Sequence, residues 1–265
     1  MKYMLLIYVA EDAMDEVARE QCYQKSAQLC QDLAASGQYL DAAPLHPVST
    51  STSVRVRDGK TVVTDGPFAE TREQLGGFYL IDAKNLDEAI RIAARIPPTS
   101  VGTVEIRPVM ELVGLPKGHG AVSGTAASSP GSAGAVPLAA GVTRKRYMLL
   151  CYDDKQYWDN AGETAQQKAI EEAVRLTHEL EAKGQYRSAA PLHPTSTATS
   201  VRVRNGKRLV TDGPFAETRE HLGGYYLIDA KDLDEAIGIA ARHSGARVGT
   251  VEIRPVMAIP GLPTL

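Results

Sequence analysis

The stretch Val63 to Glu73, VTDGPFAETRE, returns without a single change as Val210 to Glu220 in a chain of 265 residues. Working outward, the segment Gly37 to Met110 recurs as Gly184 to Met257 at a constant offset, with about three-quarters of its positions identical. AAPLHP at Ala42–Pro47 comes back at Ala189–Pro194, SVRVR at Ser53–Arg57 comes back at Ser200–Arg204, and VGTVEIRPVM closes both copies at Val101–Met110 and Val248–Met257. The openings KYMLLIY (Lys2–Tyr8) and RYMLLCY (Arg146–Tyr152) match as well. The second copy alone carries a short insertion around Lys155–Ala165, with the only tryptophan, Trp158. The chain is one unit written twice. At roughly 150 residues per domain its length also points to about two domains.

The pattern divides it into copy 1 (1–112), a Gly/Ala/Ser/Pro-rich linker (113–144) and copy 2 (145–260). The run Pro116–Thr143 has no hydrophobic period and little to bury. At roughly 5–6 Å times the square root of its length, such a linker reaches on the order of 30 Å, enough to lay two small domains side by side. Each half is thereby presented to the other at high effective concentration, which points to an intrachain pseudo-dimer that could itself associate further.

Within a copy the periods change legibly. Tyr3–Tyr8 reads as a strand, and Glu16–Ser36 as an amphipathic helix with Val17, Cys22, Leu29 and Leu33 near one face and Gly37 at its end. Val54–Arg57 alternates, Asp58-Gly59 is a hairpin turn, and Lys60–Thr64 returns as the next strand. Phe78–Asp82 is a strand. A helix runs from Asn85 or Leu86 to Arg95, with Asn85 and Glu88 at capping-box spacing, and Thr103–Val109 is the last strand. The order β-α-β-β-β-α-β predicts an α+β fold: two ferredoxin-like repeats, each an antiparallel sheet with both helices on one face. If the bare faces meet, Arg55 with Arg57, and Glu105 with Arg107, line an enclosed polar space, and that pocket is the expected site.

Composition narrows the function. Lys+Arg 29 against Asp+Glu 32 leaves a net charge of -3, without the basic excess that a phosphate-binding surface needs, so no nucleic-acid partner is expected. About eight apolar-leaning residues precede the first acidic pair, too few to span a membrane. Three cysteines, Cys22, Cys30 and Cys151, lack CxxC spacing; neither a disulfide framework nor a metal site is announced, and a cytoplasmic location is expected. There is no phosphate loop, dinucleotide fingerprint or Gly-x-Ser-x-Gly elbow, so no cofactor is expected.

TDGPFAETREQLGGFYLIDA, with the upstream SVRVRDGK and the closing VEIRPV, resembles the DGPF-motif branch of the YCII-related family, and the resemblance covers nearly everything except the linker. It implies the dimeric α+β barrel, in which two ferredoxin-like units pack sheet to sheet. The family's distant relatives include muconolactone-isomerase-like and dehydrochlorinase-like enzymes; the resemblance implies acid-base chemistry by a His and Asp pair and supplies no substrate. Some members are encoded beside extracytoplasmic-function sigma factors, which makes such a factor a candidate partner.

Each candidate residue has two readings. His46 and His193, in the Pro-Leu-His-Pro loops, are either proton carriers or loop residues fixed by flanking prolines. Asp65 and Asp212 either activate or orient those histidines or hydrogen-bond within their own Asp-Gly-Pro turn. Arg55, Arg57 and Arg107, with Arg202, Arg204 and Arg254, either clamp an anionic small molecule or pair across strands. Glu70 and Glu217 are second acids or the start of a short helical turn in which Thr71 caps Gln74. His178, His221 and His243 stand opposite Gln31, Gln74 and Ile96, so symmetry gives them no role. Three functions follow: a cofactor-independent isomerase or lyase with His46, Asp65, His193 and Asp212 as its catalytic set, a non-catalytic regulatory module, or a chain in which one copy works and the other is scaffold.

Overall fold

The computed structural model describes residues 1–68, 71–116, 144–216 and 220–263, so the linker from 117 to 143, Glu70 and Glu217 lie outside the described residues. The first half comprises β1 (Lys2–Val9), α1 (Glu16–Ala35), β2 (Tyr39–Pro44), β3 (Thr52–Arg57), β4 (Lys60–Asp65), β5 (Gln74–Asp82), α2 (Leu86–Ala93) and β6 (Thr103–Pro108). The second comprises β7 (Lys145–Asp154), α3 (Lys155–Ala182), β8 (Tyr186–Pro191), β9 (Thr199–Arg204), β10 (Lys207–Asp212), β11 (Glu220–Ala230), α4 (Leu233–Arg242), the single turn α5 (Gly245–Val248) and β12 (Thr250–Pro255).

The strand order β6-β1-β5-β2, all antiparallel, is the ferredoxin-like order, and β12-β7-β11-β8 repeats it. The α+β expectation of two ferredoxin-like repeats packed as a pseudo-dimeric barrel holds. Each copy adds a strand that periodicity does not reveal. β2 is an edge strand whose alternation is broken by a bulge between Tyr39 and Asp41. The larger difference is where the hairpins go. β3 and β4 leave their own half and extend the other sheet, with Val54, Ser53 and Thr52 opposite Val251, Glu252 and Ile253. β9 and β10 do the reverse, pairing Val201, Ser200 and Thr199 with Val104, Glu105 and Ile106. Each six-stranded sheet therefore contains strands of both halves.

Local chemistry explains the boundaries. Asp15 accepts from the Ala18 amide to start α1, and Asn85 accepts from the Glu88 amide while Glu88 Oε2 accepts from Lys84, which caps α2 from both directions. Asp58 and Gly59 both take positive φ (51° and 71°), as a two-residue hairpin with right-handed strand twist requires. On α1, Val17 is 67% exposed, and the stripe against the sheet is Cys22, Ala27, Leu29, Cys30 and Leu33. The segment after Thr71 makes no helical turn: Thr71 donates to the Glu73 carbonyl and Gln74 already opens β5.

The helices cover the outer faces and the sheets meet through their inner ones. Met4, Leu6, Phe78, Met148, Leu150, Tyr225 and Leu227 fill most of the space between them. Each such side chain contributes about 1.5–3 kcal/mol of burial before ordering entropy is counted. Most of the expected polar hollow is thus an apolar core, and the polar chamber lies toward one end of it.

Candidate functional site

That end is built by strand alternation. On β6, Val104 and Ile106 face the helices, which turns Glu105 and Arg107 inward; on β12, Val251 and Ile253 do the same for Glu252 and Arg254. All four are nearly inaccessible, at 4%, 2%, 3% and 1%. Arg107 donates to Glu105 Oε1 at 3.2 Å and Arg254 to Glu252 Oε1 at 3.3 Å. The other carboxylate oxygens are capped from across the molecule. Phe68 donates its amide to Glu252 Oε2 at 2.9 Å and Phe215 its amide to Glu105 Oε2 at 2.8 Å. Their rings stack on Tyr152 (4.5 Å, 18°) and Tyr8 (4.3 Å, 8°). Asp-Gly-Pro-Phe of each half thus closes over the buried glutamate of the other.

These residues surround a chamber of ≈ 70 Å³ whose wall also includes Thr71, Gln74, Thr195 and His221. By the same measure one water needs roughly 10–15 Å³. Burial pushes the Glu252 carboxyl above its ordinary range, against the opposing pull of Arg254 and the Phe68 amide. Burial likewise raises the Tyr8 and Tyr152 hydroxyls well above theirs, so both keep their protons at neutral pH. Arg254 Nε is buried and has no partner among the described protein atoms, whereas Arg107 Nε donates to the His193 carbonyl at 3.2 Å.

The residues singled out in the sequence are thus sorted. Arg107 and Arg254 line the chamber. Arg55 donates to Thr250 Oγ1 at 2.7 Å and Arg202 to Thr103 Oγ1 at 2.7 Å. Arg57 is held by the carbonyls of Ala246, Arg247 and Gly249, and Arg204 by those of Thr99, Gly102 and Val203, so these four guanidinium groups brace the exchanged hairpins. His46 and His193 reach the chamber through their backbone: their carbonyls accept from Arg254 at 2.6 Å and from Arg107 at 2.5 Å. Neither imidazole lines it. Asp65 and Asp212 are exposed at the ends of β4 and β10, and among the described residues no hydrogen bond joins either to a histidine or closes its own turn. Glu105 and Glu252 were missed as chamber acids, although the alternation of VEIRP had already placed Glu105 on the inner face. The contribution of Phe68 and Phe215 depends on hairpin exchange, which no local pattern encodes.

Among the described residues no group of three His, Cys, Asp or Glu is arranged to hold a metal ion. No described helix is long and apolar enough to cross a membrane.

Comparisons with known proteins follow the same division. An uncharacterized protein from Rhizobium meliloti (strain 1021) is 35% identical over 112 residues, which is 42% of this chain and 90% of that protein. Two solved structures align with 97% of the chain. One is a putative chlorite dismutase (TM-score 0.42, 8% identity, 94% of that chain covered), the other a mutant chlorite dismutase from Candidatus Nitrospira defluvii (TM-score 0.39, 7% identity, 91% covered). The YCII-related domain matches twice, at residues 1–113 and 145–260, on either side of the linker. The chain belongs to the YCII-related family and carries its domain in two tandem copies.

Proposed function

We propose that the chain binds a compact anionic small molecule in the chamber on the pseudo-twofold axis and transfers a proton to or from it. The observation that carries this reading is the pair of buried arginine–glutamate couples lining the chamber, Arg107 with Glu105 and Arg254 with Glu252, the second glutamate with a raised pKa. An anion of a few heavy atoms, with a carboxylate as the simplest case, would accept from these guanidinium groups. Two arginines and two glutamates make the cluster neutral when all are charged. An added anion therefore favours the protonated form of Glu252, which becomes the group able to donate a proton. Tyr8 and Tyr152 supply neutral hydroxyl donors, and His46 and His193 hold the arginines in place through main-chain oxygens. Isomerisation and elimination both fit this equipment.

Titration calorimetry with formate and acetate tests it. Arg254→Gln should weaken binding about tenfold or more, the scale of one hydrogen bond to a charged group. His46→Ala should leave binding within about twofold, since the carbonyl remains. Affinity should rise as pH falls, with net proton uptake. Binding indifferent to Arg254→Gln, or lost with His46→Ala in a folded protein, would return the histidine-centred reading. The regulatory alternative draws on Val62, Val63, Leu209 and Val210, which stay 42–50% exposed on the exchanged hairpins and offer a partner such as an extracytoplasmic-function sigma factor an apolar surface. Three free cysteines fit a reducing, cytoplasmic setting.

A further inference from the structure

The two halves differ most on their helical flanks. Between α1 and the first sheet lies a cavity of ≈ 160 Å³; the corresponding space between α3 and the second sheet is ≈ 370 Å³. Ala169, Ile170 and Ala173 of α3, Tyr226 of β11, Leu112 at the end of the first half and Leu115 just beyond it make its walls apolar. Arg107, which also lines the axial chamber, is among its lining residues, and the polar groups peculiar to this side are those in which the copies disagree. Where the first half has Ile7, Val9, Gln74 and Ile96, the second has Cys151, Asp153, His221 and His243, and all four line this space together with Trp158 from the insertion.

Their geometry fixes their states. The Gly245 amide donates to His243 Nδ1 at 3.0 Å, so the proton of the neutral ring sits on Nε2, 3.8 Å from Cys151 Sγ. Burial, with Arg247 adding to it, lowers the His243 pKa to about 4, and the ring is uncharged at neutral pH. Trp158 Nε1 donates to Asp153 Oδ2 at 2.8 Å, and the Trp158 carbonyl accepts from Gln166 at 3.0 Å. The other carboxylate oxygen faces Gly223, where a Cβ would stand 2.5 Å from it. Burial pushes Asp153 up to about 6, helped by Glu220 of β11 and opposed by Trp158 and by Arg107 of β6. The remaining titratable groups lining the space are Cys151, His221, Tyr225, Tyr226 and His243. A desolvated carboxyl whose donors are the Trp158 ring and its own backbone amide is stabilised by a further one, and the apolar α3 side of the wall disfavours a charged guest.

We propose that this chamber is a ligand site peculiar to the second half, for an uncharged, mostly hydrocarbon molecule bearing one hydroxyl that donates to Asp153. A cavity of roughly 150 Å³ holds benzene, so this one suits on the order of 10–15 heavy atoms. It shares Arg107, Thr195, His221 and Leu222 with the axial chamber, but its larger volume and apolar α3 wall suit a different class of molecule from the small anion proposed there.

Trp158 is the chain's only tryptophan, so its emission reports on this chamber. The probes are 1-adamantanol and adamantane-1-carboxylate at pH 7.5. The alcohol should change Trp158 emission saturably and bind at least about tenfold tighter than the carboxylate, because Asp153 repels the latter. Ala169→Leu, which fills the chamber, should abolish the response; Ala173→Leu serves if the first variant melts early by circular dichroism. Asp153→Asn should remove the preference for the alcohol. An absent or non-saturating response in the wild-type protein, equal affinity for both probes, or full binding by a folded chamber-filling variant would overturn the proposal.

Discussion

Three titrating side chains, Glu252, Asp229 and His243, carry the electrostatics at the scale of single residues, and the directions of their shifts differ. Glu252 and Arg254 are buried as a pair, and removing one partner strands the other. Glu252→Ala should cost about 3–5 kcal/mol, measured by denaturant unfolding, while Glu252→Gln, which keeps an acceptor for Arg254 and Phe68, should cost less. At Asp229 burial alone would raise the carboxyl, but Arg146 at 2.9 Å and Arg187 at 2.5 Å outweigh it and hold the pKa below its ordinary range. A lowered folded-state pKa contributes stability above the unfolded value of about 3.9 and loses it as pH falls through the folded one. Asp229→Asn should therefore lower the melting temperature at pH 7, and the difference from the wild type should shrink as pH falls below the unfolded value and through the folded one. His243 acts on the acid side too. Kept neutral to about pH 4, it contributes stability that fades as pH drops below about 6.5, where the unfolded ring takes up its proton. Legibility at this scale was uneven. Glu105 and Arg107 could be placed from alternation, because a strand with Val104 and Ile106 toward the helices has one other face. His46 is singled out for its side chain; in the structure its carbonyl accepts from Arg254, and sequence spacing carries no information about which main-chain oxygen an arginine from the other half will find.

At the scale of elements the exchanged hairpin is the decisive piece. Its turn and strands were readable, since Asp58-Gly59 between alternating runs has one good solution. Its destination was not. A hairpin can pair with either sheet, and the choice falls to long-range contacts: Val54 enters the second half's helical-side core, and Arg57 ties to the carbonyls around α5. β2 escaped for a local reason, as a bulge at the edge hides a two-residue period. Phe68 should matter more than an exposed loop residue would. Phe68→Ala leaves the amide that caps Glu252 but removes the ring stacked on Tyr152, and the loss should be about 1–3 kcal/mol, read from chemical denaturation. A proline at that position would remove the amide as well and should cost more.

Taken as a whole molecule, the chain resembles a homodimer whose subunits have been joined and then allowed to diverge. The axial chamber needs both halves, because its glutamates and arginines come from β6 and β12 and its covering phenylalanines from the opposite hairpins. The flank of the second half has diverged, and Trp158, Asp153 and His243 have no counterparts of the same type in the first. The duplication was plain in the sequence and made the pairing of halves predictable, whereas the interlocking of their sheets became visible only through strand register. Interlocking makes a direct demand on the linker. A protease site placed within residues 117–143 and cleaved to completion should leave a nicked protein that elutes as one particle at the intact mass, unfolds in one cooperative transition and retains Trp158 emission. Halves that separate on a sizing column after cleavage, or that melt in two independent steps, would contradict the account, since neither sheet would then depend on strands from the other half.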